Sequence, residues 1–269
     1  MTRYLRTALG VAVVIVLLFP LYWMVNASLQ PAGSLLKPSP DWLPVNGTLD
    51  GYRSALSTQG GHLLASLAVA AGTVVVSLIV AMPAAYALAQ LRFRGVQAFV
   101  FALLIVQMVP GPVMANSLYT LFSEFSLIDS YAGLVLADST ATIPFAILVL
   151  RAFMLSIPRE LSEAARVDGA GYWRVFRSII VPVSRNAMVT AGLFSFLFAW
   201  ADFLFAVTLT TGRAIEPITV GIYRFIGNQS ADWNAVLATA VLASIPAAVL
   251  LVIAQRYVVA GVTGGALKD

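Results

Sequence analysis

The chain has 269 residues, 60% of them apolar and 10% charged, with a net charge of +4. A soluble domain carries about 25% charged residues, so this composition excludes an ordinary soluble protein, and the mean hydropathy of +0.89 agrees. With no cysteine and one histidine, His62, the sequence excludes thiol catalysis, Cys-ligated zinc, iron–sulfur ligation and disulfides, and makes a Ser-His-Asp triad improbable.

A helix crosses the hydrocarbon core with about 20 mainly apolar residues. Six blocks meet that requirement: about 8–28, 63–90, 97–118, 131–155, 187–210 and 234–258. The fold expected is an all-α polytopic membrane protein, a single transmembrane domain over 1–269. The first block follows Arg3 and Arg6, yet its apolar run is longer than a secretory signal core, so it reads as a span. Residues 29–61 are dense in Pro, Gly and Ser and read as a loop with turns. Residues 119–130 form a short connection, and 211–233, with Gly212, Pro217, Gly221 and Gly227, a structured loop.

Orientation follows from the basic residues, which concentrate on the cytoplasmic side. With the N-terminus inside, the inner segments hold Arg3, Arg6, Arg92, Arg94, Arg151, Arg159, Arg166, Arg174, Arg177, Arg185, Arg256 and Lys268. The outer segments hold only Lys37, Arg53, Arg213 and Arg224. Both termini and residues 156–182 are therefore expected in the cytosol. The same distribution ties the positive net charge to membrane topology rather than to nucleic acid.

The segment 156–182 is unusual for a connection between spans. Pro158 suits a helix start, Glu160 and Glu163 suit its first turns, and Gly169 suits a left-handed stop. A second amphipathic stretch, Tyr172 to Ile180, is expected to stop at Pro182. Leu161, Ala164, Ala165, Tyr172, Trp173 and Phe176 would be exposed, which favours docking to a partner over a solvated loop.

Glu163-Ala164-Ala165, then Gly169, Ile179 and Pro182, resemble the EAA motif of ABC importer permeases. "EAARVDGA" is close to the version in carbohydrate-uptake permeases of the maltose-transporter inner-membrane type, and "FAWADFLFAVTL" and the tail from "ADWNAV" onward are similar to that group. Ala201 stands where Asn is common, and Ala260 where a basic residue is frequent. The resemblance implies a non-catalytic subunit in the bacterial cytoplasmic (inner) membrane. Its partners are a sister permease, forming a heterodimer, two ATPase subunits that bind ATP and Mg2+, and an extracytoplasmic sugar-binding protein. This chain carries no cofactor. By the same resemblance Glu163, Ala164, Ala165, Asp168, Gly169 and Ala170 couple ATPase closure to alternating access. The chain lacks a GxxxxGK[ST] stretch, so ATP hydrolysis is expected elsewhere.

Ionisable residues inside spans are costly and mark functional candidates. Asp138 and Asp202 lie at similar depth, roughly 10–12 Å below the outer boundary. With Trp200, Gln107 and Asn116 they offer hydroxyl acceptors and an aromatic face to a sugar, or else interhelical hydrogen bonds. The run from Asp138 to Pro144 is expected to be locally unwound beside a cavity. The spans hold no mid-depth cation, so a neutral di- or oligosaccharide is favoured over a phosphate. The alternative is a proton-coupled secondary transporter using Asp138 and Asp202, which gives the EAA segment no role.

Overall fold

The computed structural model describes residues 2–36, 41–91, 94–212, 215–227 and 232–266, with side chains from Tyr4 to Gln255 within those ranges. Of the charges that set the topology, Lys37, Arg92, Arg213 and Lys268 lie outside the described residues, as do the side chains of Arg3 and Arg256. Every regular element among the described residues is helical. Helices α1 (Thr2–Ser28), α2 (Asp50–Gln90), α5 (Tyr131–Met154) and α12 (Trp233–Ala266) are each long and apolar enough to cross a membrane. Two bent pairs add a span each if counted as one unit: α3 (Val96–Val106) with α4 (Gly111–Glu124), and a Tyr172–Val183 helix with α9 (Arg185–Ala201).

Three of the expected blocks differ from what formed. The second begins at Asp50 rather than near 63, and α2 runs 41 residues. Asp50 in the first turn is favoured by the helix dipole, and Arg53 Nη1 donates to its carboxylate at 3.0 Å. The third is broken: α3 and α4 meet at 94°. Pro110 is the N-cap of α4 and Pro112 lies in its first turn, so the amides that would continue α3 are missing. The fifth ends early: α9 stops at Ala201, Asp202 is extended (φ −64°, ψ 130°), and α10 (Leu204–Leu209) starts anew. The remaining elements are α6 (Arg159–Val167), α7 (Tyr172–Val175), a π turn over Phe176–Ile180, α8 (Val181–Val183) and α11 (Ile218–Gly227).

The chain forms two compact units, residues 1–63 with 220–246 and residues 64–219 with 247–269. In the first, Asn234 at the start of α12 is buried and donates both amide hydrogens, to the carbonyls of Ala27 (3.0 Å) and Gln30 (2.7 Å). Gly51 packs on the Asn234 backbone so closely that a Cβ there would meet its carbonyl oxygen at 3.0 Å. The loop after α1 is tied back as well: Asn26 and Gln30 both donate to the Asp41 carbonyl. Asn234→Ala leaves the Gln30 carbonyl without its donor, at a cost of about 1–3 kcal/mol, while the Ala27 carbonyl keeps the Gln30 N–H. We expect the detergent-solubilised protein to unfold at a clearly lower temperature, with Asn234→Gln only partly restoring it.

In the second unit α2 and α5 run parallel in constant register. Gly72 faces Val135, Ser77 Oγ meets Thr142 Oγ1 at 2.7 Å, Arg151 donates to the Leu88 carbonyl, and Gln90 donates to Met154 and Ile157. Partner numbers for the pairs within the two helices differ by 63 to 65, Ile157 lying beyond the end of α5. Small residues at i, i+4 spacing, Ala81, Ala85 and Ala89 on α2 and Ala187 and Ala191 on α9, admit close helix contact without a large side chain to bury.

Candidate functional site

The segment 156–182 is built around a short helix with a defined stop. Pro158 is the N-cap of α6 and Glu160 lies in the first turn. At the other end Asp168 is the C-cap and Gly169 takes φ +83°. Gly169 N–H donates to the Arg166 carbonyl (3.0 Å) and Ala170 N–H to the Ala165 carbonyl (2.9 Å). That pair of bonds is the Schellman arrangement, and it satisfies two carbonyls that end-of-helix geometry leaves open. A left-handed residue is obligatory there, so a side chain with a Cβ carries a strain of about 1–2 kcal/mol at this position.

Beyond Gly169 the segment is pinned to the base of the second unit. Val175, Phe176 and Ile180 are buried in one cluster with Tyr86, Met154 and Ile157. The Phe176 ring lies 5.4 Å from Tyr86 and 5.3 Å from Trp173. Phe176 is therefore an internal anchor and not part of an exposed docking face. The second stretch does not stop at Pro182 either. A π turn precedes it, with Val181 N–H reaching the Phe176 carbonyl, and helix continues to Val183. The wide turn accommodates a residue without an N–H. A 76° bend then leads into α9.

What remains outward is Leu161, Glu163, Ala164 and Val167 on α6, with Asp168 and Gly169 at its end and Tyr172 and Trp173 beyond. Ala165 and Ala170 are half-buried against the anchor cluster. Glu163 also lines a cup of about 270 Å³ with Tyr86, Gln90, Arg159, Ser162 and Arg166. The Arg166 guanidinium lies 4.5 Å from the Tyr172 ring centre, a cation–π contact that holds both residues at the turn.

The polar residues of the spans divide between two places. A cavity of about 610 Å³ opens where the breaks in the third and fifth blocks come together. Gln107, at the end of α3, and Asp202 both line it, with Thr140, Met114, Phe198 and Phe203. Gly111 permits the approach, since a Cβ there would stand 2.9 Å from Leu204 Cδ2. Asp202 spends its carboxylate on the backbone: Oδ1 accepts from Phe205 N–H (3.3 Å) and Oδ2 from Ala206 N–H (2.9 Å), capping α10. Its carbonyl accepts from Thr219 Oγ1 at 2.6 Å.

Asp138, Trp200 and Asn116 lie outside that lining. Asp138 is 2% exposed, inside the α2–α5 seam, with Oδ1 unpaired among the described residues. The register that joins Ser77 to Thr142 brings Thr73, also buried and unpaired, to the level of Asp138. Trp200 is buried and stacks on Phe196 at 5.6 Å. Asn116 is exposed on α4. The run Asp138–Pro144 is not unwound: α5 is continuous through it, and Ser139, Thr140 and Thr142 return their hydroxyls to carbonyls of their own helix. The unwound backbone is instead at 107–110 and 202–203, where proline and a capping carboxylate replace helix bonds. Thr140, of the run expected beside a cavity, does stand in the wall; Phe198, also in the wall, carries no signal in the sequence, being one apolar residue among many in its span.

Residues 77–264 match the model of the binding-protein-dependent transport system inner membrane components. The chain belongs to that family. It is 31% identical over 263 residues to the diacetylchitobiose uptake system permease protein of Streptomyces coelicolor, covering 96% of this chain and 95% of the relative. It is 33% identical over 255 residues to the trehalose transport system permease protein of Mycobacterium tuberculosis, covering 93% and 92%. An sn-glycerol-3-phosphate transport system permease protein of Rhizobium meliloti is 31% identical over 268 residues, covering 92% and 91%. The fold matches a chain of a bacterial ABC transporter involved in import of the acidic polysaccharide alginate, with a TM-score of 0.83 at 21% identity over 95% of this chain and 96% of that one. The chain is thus an inner membrane component of a binding-protein-dependent transport system.

Proposed function

We propose that this permease crosses the inner membrane six times with both termini in the cytoplasm, acts as one transmembrane domain, and pairs with a sister permease to form a sugar pathway. Two ATPase subunits beneath the pair bind ATP and Mg2+, and an extracytoplasmic binding protein delivers the sugar. The excess of Arg on one side of the spans supports the topology. Sugar-transporting relatives at 31–33% identity support the substrate class, with a neutral di- or oligosaccharide favoured.

The observation that carries the reading is α6. It is a short helix stopped at Gly169, rigidly joined to the α2–α5 base through Val175, Phe176 and Ile180, with Leu161, Glu163, Ala164 and Val167 left uncovered. A helix held this way transmits displacement instead of absorbing it. Glu163, Ala164, Ala165, Asp168, Gly169 and Ala170 are the coupling residues, small side chains allowing the partner a close approach. Gln107 and Asp202 face the sugar at the cavity, while Asp138, Trp200 and Asn116 hold helices or line the pathway in another state of the cycle.

Glu163→Lys tests the reading. It puts a third cation beside Arg159 and Arg166 and removes the one carboxylate of the cup. Sugar uptake and ATPase co-purification are expected to fall by about tenfold or more, equivalent to at least 1.4 kcal/mol of docking energy, with the permease still inserted. Wild-type uptake and a full complement of ATPase in this variant refute the coupling role.

A further inference from the structure

A second groove, of about 660 Å³, runs between α2, α9 and α12 within the second unit. Val74, Leu78, Met188, Gly192, Phe196 and Ile253 line it. Gly192 lets α2 close on α9, with Val74 Cγ1 and Leu78 Cδ1 at 3.4 and 3.5 Å from a Cβ placed there, while Met188 and Phe196 stand one turn to either side. Among the described residues the lining contains a single charge. It is Arg185, the first residue of α9, exposed and without an ion pair among the described residues.

The dimensions fit one kind of molecule. From Arg185 to Phe196 the helix rises about 16 Å, close to half of a hydrocarbon core about 30 Å thick. An apolar trough one leaflet deep with a cation at its end matches an acyl chain and a phosphate. We propose that the groove holds an anionic phospholipid of the leaflet on the coupling-segment side, chain against Gly192 and phosphate at Arg185. Arg185 directly follows the 76° bend between the coupling segment and α9, so the headgroup sits at the joint through which α6 moves the spans.

Native mass spectrometry of the importer, purified with the subunits that accompany it, tests this with phosphatidylglycerol and phosphatidylcholine of identical chains. Retention of phosphatidylglycerol is expected to exceed that of phosphatidylcholine by about fivefold, the preference one basic residue confers near a membrane surface. Arg185→Gln removes the preference, and Val75→Trp, at an exposed position of the lining, crowds the trough and lowers retention of both lipids. A photo-crosslinker at Val189 in the otherwise unaltered chain then yields a lipid adduct. Equal retention of the two lipids by the wild type, an undiminished preference in Arg185→Gln, or a Val189 adduct with a polypeptide overturns the proposal.

Discussion

With the proposed coupling role of α6, Gly169→Pro is expected to abolish sugar-stimulated ATP hydrolysis by the assembled transport system while leaving the spans inserted. Three things fail at once. Proline holds φ near −65°, whereas the backbone there needs +83°. Proline has no N–H to give the Arg166 carbonyl. The turn then cannot place Ala170 N–H on Ala165, so the second Schellman bond is lost as well. With the stop gone, α6 no longer has a fixed direction relative to Val175 and Phe176. Nothing lies within 4 Å of a Cβ at this position, so the defect is one of backbone conformation and not of crowding. Asparagine, which enters the left-handed region more easily than other side chains, is the matched control. Gly169→Asn is expected to keep more than about half of the coupled rate, consistent with a strain near 1 kcal/mol shared between states. Coupled hydrolysis and uptake are the readouts, and wild-type rates in Gly169→Pro would exclude α6 as the transmitting element.

Asp202→Ala is expected to lower both the stability of the permease and sugar uptake, and Asp202→Asn separates the causes. The carboxylate caps α10 through Phe205 and Ala206 N–H. Alanine leaves those amides without partners in a partly buried break, a cost of about 1–3 kcal/mol for each. Asparagine retains one acceptor oxygen for one of the two amides, so Asp202→Asn should regain part of the thermal stability lost in Asp202→Ala. Uptake then discriminates. If Asp202 only caps α10, Asp202→Asn transports at the wild-type rate. If it also accepts a sugar hydroxyl in the cavity, transport affinity falls by about tenfold or more, the loss expected when an acceptor oxygen is replaced by an NH2 group. Transport kinetics beside a melting curve for both variants read out the two effects.

The cavity illustrates how a sequence can name the right residue types and misplace the geometry. Asp138 and Asp202 look alike in one dimension, each an aspartate inside an apolar block. In three dimensions Asp138 is sealed between α2 and α5, and Asp202 stands at a break facing open space. Hydroxyl residues and Pro144 around Asp138 suggest unwinding. The hydroxyls instead bond their own helix carbonyls, and the helix continues. Pro110 and Pro112, with Gly111 between them, do break the third block, because two missing amides within one turn remove more helix bonds than one.

The sequence by itself determined the apolar blocks, the side on which arginines gather, and the helix, turn and helix of 156–182. These depend on composition, on charge and on residues whose backbone preferences are local, as with Gly169. Tertiary structure decided which faces of those helices are covered: Phe176 turned inward because Tyr86 and Ile180 pack around it, and Gln107 came to share a cavity with Asp202 because Gly111 lets α10 approach α4. Burial depends on neighbours distant in the chain, and inside a membrane nearly every residue of a span is apolar. Hydrophobic periodicity then no longer tells a lipid-facing side from a packed one, and only the contacts can.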